Sequence, residues 1–180
     1  MIRLFVAVAL PETLRQRLQS LCHGVRDARW VSPETMHLTL RFIGEVEEPL
    51  AEGIAEALSR VRAPPFSLTL DGVGHFETRG RVRTLWAGVE KNDALTLLQE
   101  RVEAAVRRTG IAPDSRRFTA HVTLARLKPA PPQRVGGWLE ANAMFRTELF
   151  LADRFVLYES FLGHAGAIHS PLETYPLKAD

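Results

Sequence analysis

A short motif, His-x-Thr, occurs twice in this chain, as His37-Leu38-Thr39-Leu40 and as His121-Val122-Thr123-Leu124. Each copy sits in an apolar setting that reads as a strand, where side chains two apart point to the same face. His37 and Thr39 therefore share a face, with Leu38 and Leu40 turned to a core behind them. His121 and Thr123 share a face over Val122 and Leu124 in the same way. An imidazole with an ordinary pKa of about 6.5 can take or give a proton near neutral pH. Two imidazoles facing each other across a groove supply what hydrolysis of a phosphodiester requires: a base for the attacking water and an acid for the leaving oxygen. Threonine hydroxyls beside them can donate hydrogen bonds to the non-bridging oxygens, where negative charge must be held. The scheme calls on no metal and no cofactor. A single His-x-Thr is a weak signal, because patterns this short arise often by chance. Two at matching places in a repeat are a strong one.

The elements that must position these residues are themselves repeated. Leu4 to Val8 reads as a buried strand, followed by Pro11-Glu12-Thr13 and a helix with Leu14, Leu18 and Leu21 on one stripe. A turn region at Val31-Ser32-Pro33 leads into the strand that starts at His37. Later, Leu85 to Val89 reads as a strand, and Asn92-Asp93 caps a helix with Leu98, Val102 and Ala105 inward that ends at Gly110. After Pro113 comes the strand that starts at His121. From first strand to histidine the offsets are 33 and 36 residues. Glu48 to Val61 continues the first half as a helix, and Phe66 to Leu70 as a strand. The second half continues with a weaker helix around Trp138-Leu139 and strands near Phe155 to Tyr158 and Glu173 to Leu177. Gly72, Gly74, Gly80 and the Gly163 to Gly166 stretch are expected to mark turns. The fold class expected is α+β, with residues 1–180 forming one domain of two pseudo-twofold-related lobes. Each lobe combines mainly antiparallel sheet with helices, and the His-Thr pairs meet across a central groove.

At this point the residues resemble a known family. His37-Leu38-Thr39-Leu40-Arg41-Phe42-Ile43-Gly44 and His121-Val122-Thr123-Leu124-Ala125-Arg126 are similar to the twin HxTx motifs of the 2H phosphoesterase superfamily. Within it the chain resembles the bacterial and archaeal RNA 2′,3′-cyclic phosphodiesterases, also described as 2′-5′ RNA ligases. The likeness extends through Arg3 to Ala7, Thr84 to Val89 and Tyr158-Glu159-Ser160. It implies a bilobal α+β fold and conversion of an RNA 2′,3′-cyclic phosphate end to a 2′-phosphomonoester. It further implies that His37 is the proton donor to the leaving 3′ oxygen and His121 the proton acceptor. Thr39 and Thr123 become phosphate contacts, Arg126 a phosphate-binding arginine, and Phe42 a substrate-binding residue. Arg126 lies five residues after His121, so strict alternation would turn it from the groove, and a bulge or strand end near Ala125 is expected to re-aim it. Arg41, four after His37, keeps the groove phase without a bulge and is expected to be a solvated surface residue. Where an RNA 5′-hydroxyl replaces water, the same acid–base pair gives a 2′-5′ linkage as a minor activity. The strained cyclic phosphate supplies the energy, and the sequence has no GxxxxGK[ST] phosphate loop for ATP.

Composition bounds the rest. Of 23 basic residues only Lys91, Lys128 and Lys178 are lysine, and the remaining arginines carry a planar fork suited to phosphate. Net charge is only +2, so no overall field forces nucleic-acid binding. Arg79, Arg81, Arg83, Arg107, Arg108, Arg116 and Arg117 either line a groove or are solvated faces. No apolar run is long enough to cross a bilayer, and the start lacks the features of an export leader. One cysteine, Cys22, cannot form an internal disulfide and fits a reducing cytoplasm. His23, His75, His164 and His169 lack metalloprotease spacing and are expected to serve helix-end, surface and loop roles. The expected enzyme is a monomeric cytoplasmic hydrolase whose partner is RNA with a 2′,3′-cyclic phosphate end. The alternatives are a 2H enzyme acting on 2′-5′ oligonucleotides or nucleotide cyclic phosphates, and a non-catalytic RNA-end-binding module. Intact histidine and threonine at both motifs favour turnover over the module.

Overall fold

The computed structural model describes residues 1–164 and 166–179. The first half runs β1 (Ile2–Ala9), α1 (Glu12–Gln19), a short β2 (Arg29–Trp30), β3 (His37–Val46), α2 (Glu48–Ser59), β4 (Phe66–Leu68) and β5 (Leu70–Thr78). The second half runs β6 (Arg81–Val89), α3 (Asp93–Arg108), β7 (His121–Ala130), α4 (Gly136–Ala141), β8 (Phe150–Ala152) and β9 (Arg154–Gly163), then adds β10 (Gly166–Pro176). Local chemistry sets the limits of several elements. The Asn92 side chain accepts the Leu95 N–H at 3.0 Å to cap α3, and Gly110, at φ +100°, turns the chain just past its end. Leu98, Val102 and Ala105 on α3, and Ile54 and Leu58 on α2, are fully buried, as the periodicity predicts.

The large sheet has the order β10-β9-β1-β3-β7-β6-β5, with β2 added alongside β7. Its central six strands read as a twofold about the β3/β7 boundary, relating β3 to β7, β1 to β6 and β9 to β5. This is the expected α+β arrangement of two related lobes around a centre. The expectation did not include an exchange. One strand of each half crosses over, so that β5 of the first half pairs with β6, and its counterpart β9 of the second half pairs with β1. The small strands β4 and β8 pair with each other, as elements flanking the axis would. The Phe66 to Leu70 strand is thereby split into β4 and the start of β5. Gly72 and Gly74 lie inside β5 and do not mark turns; only Gly80, at φ +74°, makes the β5–β6 turn. The reason at Gly74 is steric: a Cβ there would sit 2.3 Å from the Trp86 indole packed over it. Of the Gly163 to Gly166 turn, Ala165 lies outside the described residues.

Each motif strand carries a bulge at the same place. Along β3, Ala7 pairs with Thr39 but Val6 pairs with Arg41, so Leu40 is the extra residue. Along β7, Trp86 pairs with Thr123 but Leu85 pairs with Ala125, so Leu124 is extra. In both, two consecutive residues turn inward (Leu40 and Arg41, Leu124 and Ala125), and the next, Phe42 or Arg126, turns outward. The bulge expected near Ala125 is present. Its twin in β3 corrects the reading of Arg41, which is only 6% exposed and not solvated. The Arg41 guanidinium donates from Nε to Glu103 Oε2 at 2.5 Å, from Nη1 to the Phe42 carbonyl at 2.9 Å and from Nη2 to the Ala112 carbonyl at 2.5 Å. Asp114 lies 3.9 Å away. One buried side chain thus ties the free edge of β3 to α3 and to the segment leading into β7.

Removing one member of a buried ion pair strands the other. Glu103→Ala is expected to destabilise the fold by about 3 kcal/mol, the low end for such pairs because Asp114 remains. The double variant Arg41→Met/Glu103→Leu should cost less than that single change. Urea unfolding of the three proteins checks the order, and a double variant no more stable than Glu103→Ala would contradict the pairing.

Candidate active site

Strands β3 and β7 meet through the Leu38–Val122 pair, near the start of each. They are antiparallel, so from that junction they run outward in opposite directions. Carrying the register one step either way sets His37 beside Thr123 and Thr39 beside His121, all on one face. Opposed residues on one face lie about 5 Å apart and diagonal ones about 7–8 Å apart. His37 and His121 are a diagonal pair, at a spacing that one phosphoryl group with a hydrogen bond at each end can span. The bulges then bring Phe42 and Arg126 onto the same face from either side.

Both imidazoles are fixed by the same device. His37 Nδ1 lies 2.7 Å from the Thr35 carbonyl, and His121 Nδ1 lies 2.6 Å from the Thr119 carbonyl. A carbonyl only accepts, so Nδ1 carries the proton in each ring and Nε2 is left with a lone pair or, when charged, a second proton. The repeat is therefore Thr-x-His-x-Thr. Thr35 and Thr119 were readable in the sequence but escaped notice, because their contribution is a backbone carbonyl, which residue type does not advertise.

The surroundings of the two rings differ. His37 stacks on Phe5 at 4.7 Å between centroids and meets His169 edge-on at 5.0 Å, with Tyr158 beyond at 6.2 Å. His121 meets Phe76 edge-on at 4.9 Å and Trp86 at 6.1 Å. His169 was assigned a loop role and instead lies on β10 against His37. Its spacing from either motif gives no hint of this, since β10 has no counterpart in the first half. Burial lowers the His37 pKa from 6.5 to about 4, helped by the nearby His169, and the Thr35 carbonyl only partly offsets this. Burial also lowers His121, and Arg126 lowers both rings further. Arg126 is thus within electrostatic reach of both. At neutral pH the site holds two neutral imidazoles beside the Arg126 guanidinium, which among the described residues forms no ion pair, and this arrangement invites an anion.

His121, Thr39, Thr123, Phe42 and Arg126 line a cleft of about 910 Å³, which extends to α3 and to the segment before β7. Among the described residues, no three His, Cys, Asp or Glu side chains gather as a metal ion would need, and no helix is long and apolar enough to cross a membrane. The one thiol, Cys22, is pushed up to about 11 by burial and donates to the Leu18 carbonyl, far from nucleophilic use at neutral pH.

The profile of one protein family, LigT like Phosphoesterase, matches this chain twice, at residues 8–86 and 88–169. The chain belongs to the LigT-like phosphoesterases. The two matches correspond broadly to the two halves of the structural repeat, although the break between them falls inside β6 rather than at the β5–β6 turn. Among relatives of this phosphoesterase, the RNA 2′,3′-cyclic phosphodiesterase of Archaeoglobus fulgidus is 33% identical over 96% of this chain and 99% of its own. That of Thermotoga maritima is 34% identical over 94% of this chain and 92% of its own. Escherichia coli LigT, solved with 3′-AMP, superimposes with a TM-score of 0.80 at 27% identity, covering 98% of both chains.

With His37 neutral to about pH 4 in the folded phosphoesterase and to about 6.5 once unfolded, only the unfolded chain gains its proton between those values. Stability is therefore expected to fall as pH drops from about 6.5 toward 4. Histidine NMR titration should find the His37 midpoint well below 6 in the free protein and raised by inorganic phosphate. A midpoint at or above 6 without phosphate would contradict the burial argument.

Proposed function

We propose that this phosphoesterase hydrolyses RNA 2′,3′-cyclic phosphate ends to 2′-phosphomonoesters, with His37 as proton donor and His121 as proton acceptor. The observation that carries the reading is the matched pair of Nδ1–carbonyl hydrogen bonds, which leaves both Nε2 atoms for one phosphoryl group. The names of the relatives support the substrate, and the resemblance of the motifs supports the order of the roles. No structural feature described above depends on which ring gives the proton first.

The steps follow from the residues. The cyclic phosphate enters as an anion, drawn by Arg126, and Thr39 and Thr123 donate to its non-bridging oxygens. Its negative charge reverses the depression of the His37 pKa, so His37 becomes charged when the phosphate is bound. His121 Nε2 removes a proton from water, the water oxygen bonds to phosphorus, and the bond from phosphorus to the 3′ oxygen breaks as His37 Nε2 delivers a proton to that oxygen. The 2′ oxygen keeps the phosphate. Phe42, 42% exposed on the cleft wall, offers a face for a base. The single thiol of Cys22 suits a reducing cytoplasm, and we read the enzyme as a monomer acting there.

Incubating a short RNA ending in a 2′,3′-cyclic phosphate with the protein in EDTA should yield a 2′-phosphate end. A 3′-phosphate would reverse the leaving oxygen. His37→Ala and His121→Ala should each lower kcat by roughly 10²- to 10⁴-fold with the fold intact by circular dichroism. Near-normal turnover in either would sink the pair.

The pH dependence has a sign. The productive form has His37 charged and His121 neutral. In the free protein burial disfavours the charge on both rings, so that form is scarce and gives way to the doubly neutral form as pH rises, whereas bound phosphate holds the His37 charge to higher pH. The alkaline limb of kcat/KM is therefore expected at lower pH than that of kcat. Initial rates from mildly acidic to alkaline pH test this, and coincident limbs would contradict it.

A further inference from the structure

Each carbonyl that orients a histidine lies in the segment just before its own motif strand, and each segment is tied to the other motif's strand. The two ties differ in kind. The segment carrying Thr35 is held to β7 by backbone. Arg29 pairs with Arg126 and Trp30 with Ala125, and the Val31 N–H donates to the Leu124 carbonyl at 2.8 Å. The turn Pro33–Thr35 then closes on itself, with the Thr35 N–H and hydroxyl both donating to the Ser32 carbonyl at 3.0 Å.

The segment carrying Thr119, residues 111–120, lacks that support. Among the described residues it makes no backbone-to-backbone hydrogen bond, and Pro113 has no N–H to offer one. Ile111, Phe118 and Ala120 pack against the core, but apolar contact is non-directional and does not aim a carbonyl. The directional ties converge on one place. Arg41 donates to the Ala112 carbonyl and faces Asp114. The Asp114 N–H donates to Glu103 Oε1 at 3.3 Å, and its carboxylate accepts the Arg116 N–H at 3.0 Å. Buried, with Nε, Nη1 and Nη2 each donating to protein atoms, Arg41 acts through what it holds.

Arg41 stands where the repeat places Ala125 in the other strand, four residues after the histidine and next to the bulge. At Ala125, β7 grips the Thr35 segment by backbone; at Arg41, β3 grips the Thr119 segment by a side chain. We propose that Arg41 is a positioning residue for His121, fixing the segment whose Thr119 carbonyl keeps the His121 proton on Nδ1. Which nitrogen of a neutral imidazole carries the proton is set by the partner of the other. A Thr119 carbonyl free to drift would release His121 to the Nε2–H form, which cannot take a proton at that atom. A base held in the wrong tautomer loses catalysis with its geometry otherwise intact. The kinetic consequence rests on the role given to His121 above; the tie itself does not.

Nitrogen-15 NMR of the histidine rings at neutral pH reads the tautomer of each ring, and kinetics on a cyclic-phosphate-ended RNA reads the consequence. In the native protein His37 and His121 should both be Nδ1–H. In Arg41→Met/Glu103→Leu, which leaves no unpaired partner in the pair, His37 should stay Nδ1–H while His121 gains a clear Nε2–H fraction. Its kcat should fall at least about tenfold, short of the roughly 10²- to 10⁴-fold that loss of the base would cost, with little change in KM. Arg41→Lys keeps a cation beside Glu103 without the fork that also reaches Ala112, and should fall between the two on both readouts. It decides the matter if the double variant does not fold. Two results would overturn the proposal. One is a folded variant in which His121 stays Nδ1–H at native kcat. The other is loss of the Nδ1 proton from His37 and His121 alike, which would make the cluster a general support of the fold. A native protein that hydrolyses no cyclic phosphate would instead reject the function proposed above, while the NMR comparison still decides the tie.

Discussion

Leu38 and Val122 are buried side chains of no chemical interest, yet their pairing is the contact on which the site depends. Two strands that overlap at their first residues and then diverge can bring two His-Thr pairs together only through that overlap. A slip of one residue on either strand would move every side chain of that strand to the opposite face. It would put His37 or His121 into the core and Leu38 or Val122 into the groove. Hydrophobic burial of the alternating leucines and valines therefore sets the register, and through it the chemistry.

The exchange of β5 and β9 between the lobes reinforces the same contact. Two independent lobes meeting at one residue pair would be free to hinge. Here the outer strand of each lobe belongs to the other half of the chain, and β4 pairs with β8 beside the axis. A hinge would have to pull apart strands covalently continuous with both lobes. The twin bulges complete the arrangement by letting residues five after each histidine join the active face, at the cost of turning the fourth inward. In β7 that inward residue is Ala125, which needs nothing. In β3 it is Arg41, which requires Glu103, Asp114 and two carbonyls to be tolerated. The asymmetry is used: the same guanidinium anchors the segment that walls the cleft.

The sequence made the duplicated strand–helix–strand order, the two active faces and the helix stripes legible, because each is written in a local period or a repeated motif. Arg126 was readable only through resemblance, with the bulge inferred from its phase. Applying that argument to the first motif would have turned Arg41 inward and Phe42 outward, since both strands have the same spacing. What stayed hidden depends on contacts between distant segments. Gly72 and Gly74 look like turn residues until the Trp86 indole is placed over the strand. The exchange of terminal strands leaves no period to detect. His169 gains its meaning from a ring 132 positions earlier in the chain, against which only folding sets it.

The two sides of the junction also differ in a way that the pseudo-symmetry would not predict, and the difference follows from β10. That strand has no counterpart in the other lobe, and it adds one ring, His169, against Phe5, Tyr158 and His37 on the His37 side alone. Burial among these rings pushes the His37 pKa well below that of an ordinary histidine, while His121, backed by Phe76 and Trp86 and also lowered by burial, opens onto the arginine-lined cleft. A ring that resists protonation in the empty site is a strong acid once charged, and only an anion placed beside it can load it. His121, also lowered by burial, holds its neutral form beside the open cleft. One unduplicated strand thus makes a symmetric pair of motifs into a site with two unlike sides.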